Sequence, residues 1–104
     1  MHGSNRKNSD QDKRVRKSHL HEAARGRVIR FVVQLEVELR GEWVPVVRYD
    51  TAHGKPHVDL YETPTRKTKR PIELPVAEAM TFAQEDISKN WPRYCDQFLR
   101  RNAR

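Results

Sequence analysis

One short segment of the chain, residues 48–59, concentrates side chains that can transfer protons or bind an anion. It contains one guanidinium, two carboxylates and two imidazoles: Arg48, Asp50, His53, His57 and Asp59. Side chains alternate along a strand, so the polar residues of two neighbouring strands share one face if the residues between them enter the core. We therefore expect four of these groups in one patch, with His53 above it in the connecting loop.

Metal-free cleavage of RNA is the first chemistry that fits these residue types. A neutral imidazole takes the 2′-hydroxyl proton, an acid protonates the leaving oxygen, and a guanidinium stabilises the charge that develops on phosphorus. His53, His57 and Arg48 match those three roles, and Asp50 or Asp59 would orient an imidazole. No cofactor is required for this reaction.

Two alternatives use the same residues differently. The two histidines and two aspartates form a mixed nitrogen and oxygen set of the kind that zinc or manganese accepts, although Gly54 and Pro56 exclude the helix that would align the histidines. The other alternative is structural, with the imidazoles and carboxylates paired across a solvated hairpin. The sequence leaves all three interpretations open, and the metal assignment is unknown.

The same hairpin resembles part of a known family. The runs Arg48-Tyr49-Asp50, Ala52-His53 and Pro56-His57 resemble the Tyr-Asp-x-Ala-His and Pro-His pattern of small bacterial proteins of the TumE toxin type, encoded beside helix-turn-helix antitoxins. The resemblance covers about a dozen residues. It implies a toxin that acts on RNA or translation, an antitoxin protein as partner, and functional roles for Arg48, Asp50, His53 and His57. Where those proteins tend to carry further histidines, this chain has Val58 and Asp59.

The elements that position this hairpin follow from apolar residues at every second position. Pro45 cannot donate a hydrogen bond to a sheet, which predicts an edge position or a bulge in the strand that contains it. Residues 62–70 are charged and predict a solvated connection. The pattern predicts a small antiparallel sheet of three to four strands, at residues 28–39, 43–50, 57–61 and 72–74.

A C-terminal helix is predicted from apolar residues that recur every three or four positions. This stripe would cover the sheet, which makes the fold class α+β. Pro75 suits the first turn of the helix. Pro92 predicts either a kink or a second short helix capped by Asn90. The stripe consists of Val76, Met80, Ala83, Ile87, Trp91, Tyr94 and Phe98.

Most of the net charge of +7 lies near the N-terminus, where residues 1–30 hold nine basic and three acidic residues. Residues 1–22 contain few apolar residues, so we expect a disordered basic arm that precedes a single domain at residues 23–104. Such an arm could follow phosphates without reading sequence, or act as a solubilising tail.

The composition also excludes several classes of protein. No segment approaches the roughly 18 apolar residues of a membrane span, and the N-terminus lacks a secretory signal, so we expect a cytoplasmic protein with no membrane partner. Cys95 is the single cysteine, which excludes an internal disulfide and a multi-thiolate zinc site, and we expect it to be buried.

Two functions are compatible with these observations. The first is a toxin-like protein of a toxin–antitoxin module that acts on RNA or translation, with a ribonuclease-type activity as one form of it. The alternative is a non-enzymatic module that binds nucleic acid or protein. A partly apolar exposed face bearing Val32, Val44 and Val46 would suit a homodimer or an antitoxin.

Overall fold

The computed structural model of the chain describes residues 7–8 and 14–103. They form one antiparallel sheet, with the strands in sequence order and a single helix after the last strand. The fold is therefore α+β, as predicted, but the sheet has five long strands and a two-residue one instead of three to four strands. The elements are β1 (Lys7–Asn8), β2 (Val15–Ala24), β3 (Arg27–Leu39), β4 (Glu42–Ala52), β5 (Lys55–Thr63), β6 (Arg66–Pro71) and α1 (Val76–Arg101).

Three tight turns of the same type join the strands from β2 to β5. Each consists of a non-glycine residue followed by a glycine, both with positive φ. A two-residue turn with this backbone matches the twist of the flanking strands, and glycine adopts the conformation without steric cost. The three pairs are Arg25-Gly26, Arg40-Gly41 and His53-Gly54.

Strand β2 lies where we expected a disordered arm. It pairs with β3 along its whole length, and the expected boundary between residues 22 and 23 falls inside it. The prediction was wrong for this segment because β2 is held by hydrogen bonds to β3 and buries only one apolar residue completely, Val15. The parts of the expected arm at residues 1–6 and 9–13 lie outside the described residues.

Strand β6 was also missed by the sequence prediction. We expected a connection at residues 62–70 and a strand at 72–74, but β6 spans Arg66–Pro71 and residues 72–74 lead to the helix. All six residues of β6 are exposed. An edge strand needs no apolar face of its own when backbone pairing to its neighbour holds it, so apolar alternation could not reveal it.

The core lies between one face of the sheet and α1. The predicted alternation in β3 is confirmed, since Phe31, Val33, Leu35 and Val37 are all buried. The predicted irregularity at Pro45 is a bulge: the register between β3 and β4 shifts between Leu35 and Glu36. Side chains before and after a bulge lose their simple alternation between faces.

The bulge removes most of the apolar exposed face that the sequence predicted. Val46 is only 3% exposed and belongs to the core, and Val44 packs against the core from the same side. Of the three expected residues, only Val32 lies on the open face, where it is half-buried opposite Asp50. The face that would have suited a homodimer or an antitoxin is therefore smaller than predicted.

Helix α1 is continuous and contains Pro92, so no second short helix begins there. Pro75 occupies the position just before the first helical residue. Cys95 is completely buried, as expected. No helix in the described part of the chain is long and apolar enough to cross a membrane. The predicted stripe packs on the sheet through the buried residues Ala83, Ile87 and Phe98 and the partly buried residues Val76, Met80, Trp91 and Tyr94.

A carboxylate on α1 connects the helix to the sheet. Asp86 Oδ2 accepts hydrogen bonds from the hydroxyls of Tyr49 on β4, at 2.7 Å, and Tyr94, at 2.6 Å. Asp86 Oδ1 accepts one from Asn90 Nδ2 at 2.8 Å. Burial, and then the bond to Asp86, raises the pKa of Tyr49 and raises the pKa of Tyr94 to about 12. Both hydroxyls therefore remain donors at neutral pH.

Removing this acceptor should destabilise the fold. In Asp86→Ala the two hydroxyls and the amide lose their partner, and leaving buried donors unsatisfied should lower the free energy of unfolding by about 1–3 kcal/mol. Urea denaturation measures this quantity. The control is Asp96→Ala, which removes an exposed carboxylate paired with Arg100 on the same helix and should cost at most about 0.5 kcal/mol. Equal losses in both variants would contradict the anchoring role of Asp86.

Candidate functional site

The register between β4 and β5 brings four of the five candidate residues together. Arg48 lies opposite Asp59, and Asp50 lies opposite His57. The residue between each pair along its strand is buried beneath the helix. The four side chains therefore occupy the open face of the sheet, as the alternation of the two strands predicted.

A row of hydrogen bonds crosses this open face from β2 to β4. Glu36 accepts from Arg16 Nε and from Gln34 Nε2, each at 2.6 Å. Arg48 donates from Nη1 to Gln34 Oε1 at 2.9 Å and from Nε to Asp50 Oδ2 at 2.8 Å. We call these residues and His57 the polar row. Its members satisfy one another, so two of the three nitrogens of Arg48 are already bound.

His57 ends the polar row between two oxygen atoms. Its Nε2 lies 2.7 Å from Asp50 Oδ1, and its Nδ1 lies 3.3 Å from the carbonyl oxygen of Lys55. Asp50 Oδ1 is buried and makes no hydrogen bond among the described residues, so the nearby His57 ring is the group placed to donate to it when Nε2 carries a proton. Lys69 Nζ lies 3.4 Å from the same nitrogen. Each ring nitrogen of His57 therefore faces an oxygen atom of the protein.

Asp59 lies beside the polar row and is 3% exposed. Its Oδ2 accepts a hydrogen bond from Lys67 Nζ at 3.0 Å, and this bond raises the pKa of Lys67. Its Oδ1 is buried without a partner among the described residues. The residue that orients an imidazole is therefore Asp50, and Asp59 instead holds Lys67 on the edge strand.

His53 lies outside the patch. It occupies the first position of the β4–β5 turn with φ of 55° and is exposed. Within the described residues it makes no hydrogen bond or ion pair. No contact joins it to His57, so the structure does not assemble the acid and base pair that the sequence predicted.

The metal alternative finds no support in the described part of the chain. No group of three or more His, Cys, Asp or Glu side chains there is placed to hold a metal ion. Asp50 and His57 face each other directly, whereas His53 is separate from them. Of the three interpretations, pairing across the open face describes the observed contacts best.

Sequence reasoning did not group a set of cations that the structure places toward one end of the sheet. Because the strands run antiparallel in sequence order, the β2–β3 turn, the β4–β5 turn and the last residues of β6 lie at the same end. Five exposed cations there form no ion pair with a carboxylate among the described residues. The glycines of the two turns were the available signal, because each glycine marks a turn that has basic residues beside it. We call the set the cationic rim: Arg25, Arg27, Lys55, Lys69 and Arg70.

The two histidines should respond differently to substitution. His57→Ala should lower the free energy of unfolding by about 1–3 kcal/mol, because Asp50 Oδ1 would stay buried without a donor. His53→Asn should leave stability unchanged or slightly higher, since asparagine readily adopts positive φ before glycine. Urea denaturation of both variants tests this. A negligible effect of His57→Ala would show that its contact with Asp50 contributes nothing to the fold.

Comparison with known proteins gives one match. The family described as "Domain of unknown function (DUF7718)" matches residues 4–104, which include the polar row, the cationic rim and the helix. No curated protein and no solved structure matches the chain. The match does not point to the toxin family that the hairpin resembles.

Proposed function

We propose that the chain, which belongs to the DUF7718 family, binds nucleic acid through phosphate groups and does not cleave it. The observation that carries this proposal is the cationic rim, where five exposed cations without carboxylate partners lie at one end of the sheet. Each cation that contacts a phosphate releases counterions from the nucleic acid, which is the main source of sequence-independent affinity.

The polar row is a poorer surface for phosphate than the rim. Arg16, Arg48 and Lys67 each pair with a carboxylate, at 2.6, 2.8 and 3.0 Å. A phosphate would have to displace that carboxylate or share its cation. The rim cations form no ion pair with a carboxylate of the described residues, so binding there breaks no ion pair of that kind.

The charge distribution along the chain supports the same interpretation. The net charge is +7, and nine basic residues lie within residues 1–30. The turn between β2 and β3 falls in this segment and contributes two of the rim cations. A field of one sign around the rim would raise the rate at which a polyanion encounters it.

The arrangement of the imidazoles favours binding over cleavage. Metal-free cleavage needs a base for the attacking hydroxyl and an acid for the leaving oxygen. His57 is the one imidazole among the residues that make up the patch, and each of its nitrogens already faces an oxygen atom of the protein. His53 lies outside the patch, and no described residue orients it. The patch therefore supplies at most one of the two proton transfers.

Neutralising the rim should weaken binding and reduce its salt dependence. A variant with Lys55, Lys69 and Arg70 all changed to Gln should lose up to three phosphate contacts on a single-stranded RNA. The slope of log affinity against log salt would then fall by about 2, since each phosphate contact with a single strand contributes about 0.7. Fluorescence anisotropy between about 50 and 200 mM salt measures both quantities.

The matched control changes Lys89, Arg93 and Arg101 to Gln, which removes the same charge from exposed positions of α1. This variant should bind nearly as well as the unmodified chain. Equal losses in both variants would mean that net charge alone governs binding. If the unmodified chain binds no nucleic acid, the proposed function is wrong.

A second candidate is cleavage of RNA by a toxin of the type that the hairpin resembles. The observation that favours it is the contact of Arg48, Asp50 and His57 in one patch, with Lys69 beside the ring. Here Arg48 and Lys69 would hold the phosphate and His57 would protonate the leaving oxygen. An antitoxin protein would be the neutralising partner.

Growth and RNA integrity separate the two candidates. We expect expression of the chain to be tolerated and purified protein to leave RNA intact on denaturing gels. Cleavage that persists in a chelator and is lost in Arg48→Lys would favour the second candidate, because lysine cannot reproduce the two-pronged contact of arginine with phosphate. The control for that outcome is Lys89→Gln, an exposed position of α1 outside the patch.

A further inference from the structure

The hairpin of β2 and β3 extends beyond the rest of the sheet. β4 pairs with β3 only from Val32 onward, so the preceding part of β3 pairs with β2 alone. From Leu20 to Arg30 every residue is exposed except Val28, which is half-buried. We call residues 20–30 the ribbon. Its two strands project from the sheet with both faces open.

The dimensions of the ribbon match a groove of duplex DNA. Leu20 lies opposite Val32, so four residues of β2, from 21 to 24, extend past that level, a length on the order of 13 Å. β4 continues two residues past Asp50 to Ala52, so the ribbon projects beyond β4 by about half of that length. Its two strands lie about 4.8 Å apart. The major groove of B-form DNA is about 12 Å wide and 8.5 Å deep and accepts a two-stranded ribbon. The ribbon is therefore narrow enough to enter the groove, and long side chains at its tip would extend its reach toward the base edges.

The charges of the ribbon are concentrated at its tip. Arg25 and Arg27 flank Gly26, and neither forms an ion pair with a carboxylate among the described residues. Nearer the sheet, Arg30 pairs with Glu22 at 2.7 Å. Arg25 and Arg27 are thus the cations that would enter a groove first. The planar guanidinium group of arginine can bind both guanine edges and phosphates.

The remaining rim cations lie where the wall of such a groove would be. β5 is two strands from β3 and β6 is three strands away, which corresponds to roughly 10 and 14 Å. Lys55, Lys69 and Arg70 therefore lie to one side of the ribbon at the same end of the sheet. Lys55 and Lys69 lie on the open face, whereas Arg70 lies opposite the buried Val58 and points to the helix face. A duplex that received the ribbon in its major groove would present backbone phosphates to Lys55 and Lys69 from the open face.

We infer that the nucleic acid bound by this chain is duplex DNA of B form and that the ribbon enters its major groove. This inference rests on the proposed function, because it names the ligand for the same cationic rim. The major groove of an A-form RNA duplex is deep and too narrow for protein side chains to read, and a single strand has no groove. The exposed Leu20 and Ile29 add apolar surface that can contact thymine methyl groups.

The test compares three probes of equal length in fluorescence anisotropy: a DNA duplex, an RNA duplex and a single-stranded RNA. The full chain should bind the DNA duplex roughly tenfold more tightly than the RNA duplex. Protection of guanine N7 from methylation should accompany binding, because that atom lies in the major groove.

A variant at the tip tests the role of the ribbon. Arg25→Asn combined with Arg27→Gln keeps a residue that accepts positive φ before Gly26, so the turn should persist. Binding of the DNA duplex should weaken roughly tenfold, with a salt slope lower by up to about 2. Binding of single-stranded RNA should weaken clearly less, because a single strand has no groove for the ribbon to enter and loses only phosphate contacts. The matched control, Lys89→Gln with Arg93→Gln, removes the same charge from α1.

The outcomes separate the inference from the function on which it rests. If the DNA and RNA duplexes bind equally and the tip variant behaves like its control, the ribbon does not enter a groove, while phosphate binding stands. If the tip variant loses affinity for single-stranded RNA as strongly as for duplex DNA, its arginines are phosphate contacts only and the inference is wrong. If none of the three probes binds, the proposed function fails as well.

Discussion

In the described part of the chain, a single helix packs on a sheet of five long strands. α1 lies against β3, β4 and β5, and the bond between Asp86 and Tyr49 fixes it to the sheet. One helix covers one face, so the polar groups of the other face must meet water or find partners within the protein. On the open face they find partners: Arg48, Gln34 and Asp50 satisfy one another in the polar row. The coverage of the sheet therefore determines both the position of the core and the arrangement of charge.

For ligand binding on this sheet, whether a side chain is already paired matters more than its chemical type. Arg48 and His57 are residues that active sites use, but each is already bound to Asp50. A network of this kind stabilises the face when every member is satisfied, and an incoming ligand must compete with it. The rim cations, of which Lys55 and Arg70 are examples, have less varied chemistry but no competitor. For a polyanionic ligand the simpler surface is the more accessible one, and this difference favours binding over catalysis.

Sequence patterns predicted the parts of the fold in which burial depends on the type of residue. The alternation in β3, the helical stripe and the bulge at Pro45 all follow from local rules of this kind. β2 and β6 do not follow from these rules, because each is held by pairing with a neighbouring strand and its own side chains are mostly polar. The patch was predicted as a set of residues on one face, because successive side chains of a strand point to opposite faces of the sheet. Pairing across the face was one of the three interpretations, but the partners were not predicted, because the choice of Arg48 between Asp50 and the opposite Asp59 depends on side-chain conformation. The toxin resemblance remains a prediction.

The exposed edge of β6 also determines how two copies of the chain can meet. An unpaired edge strand is a template on which another strand can add, and sheets that join in this way can grow into fibrils. β6 places Arg66, Lys67, Lys69 and Arg70 along that edge, and only Lys67 is paired with a carboxylate. Two such edges approaching each other would bring like charges together at the spacing of a sheet. This repulsion protects concentrated protein from aggregation, and it weakens as salt rises because the charges are exposed.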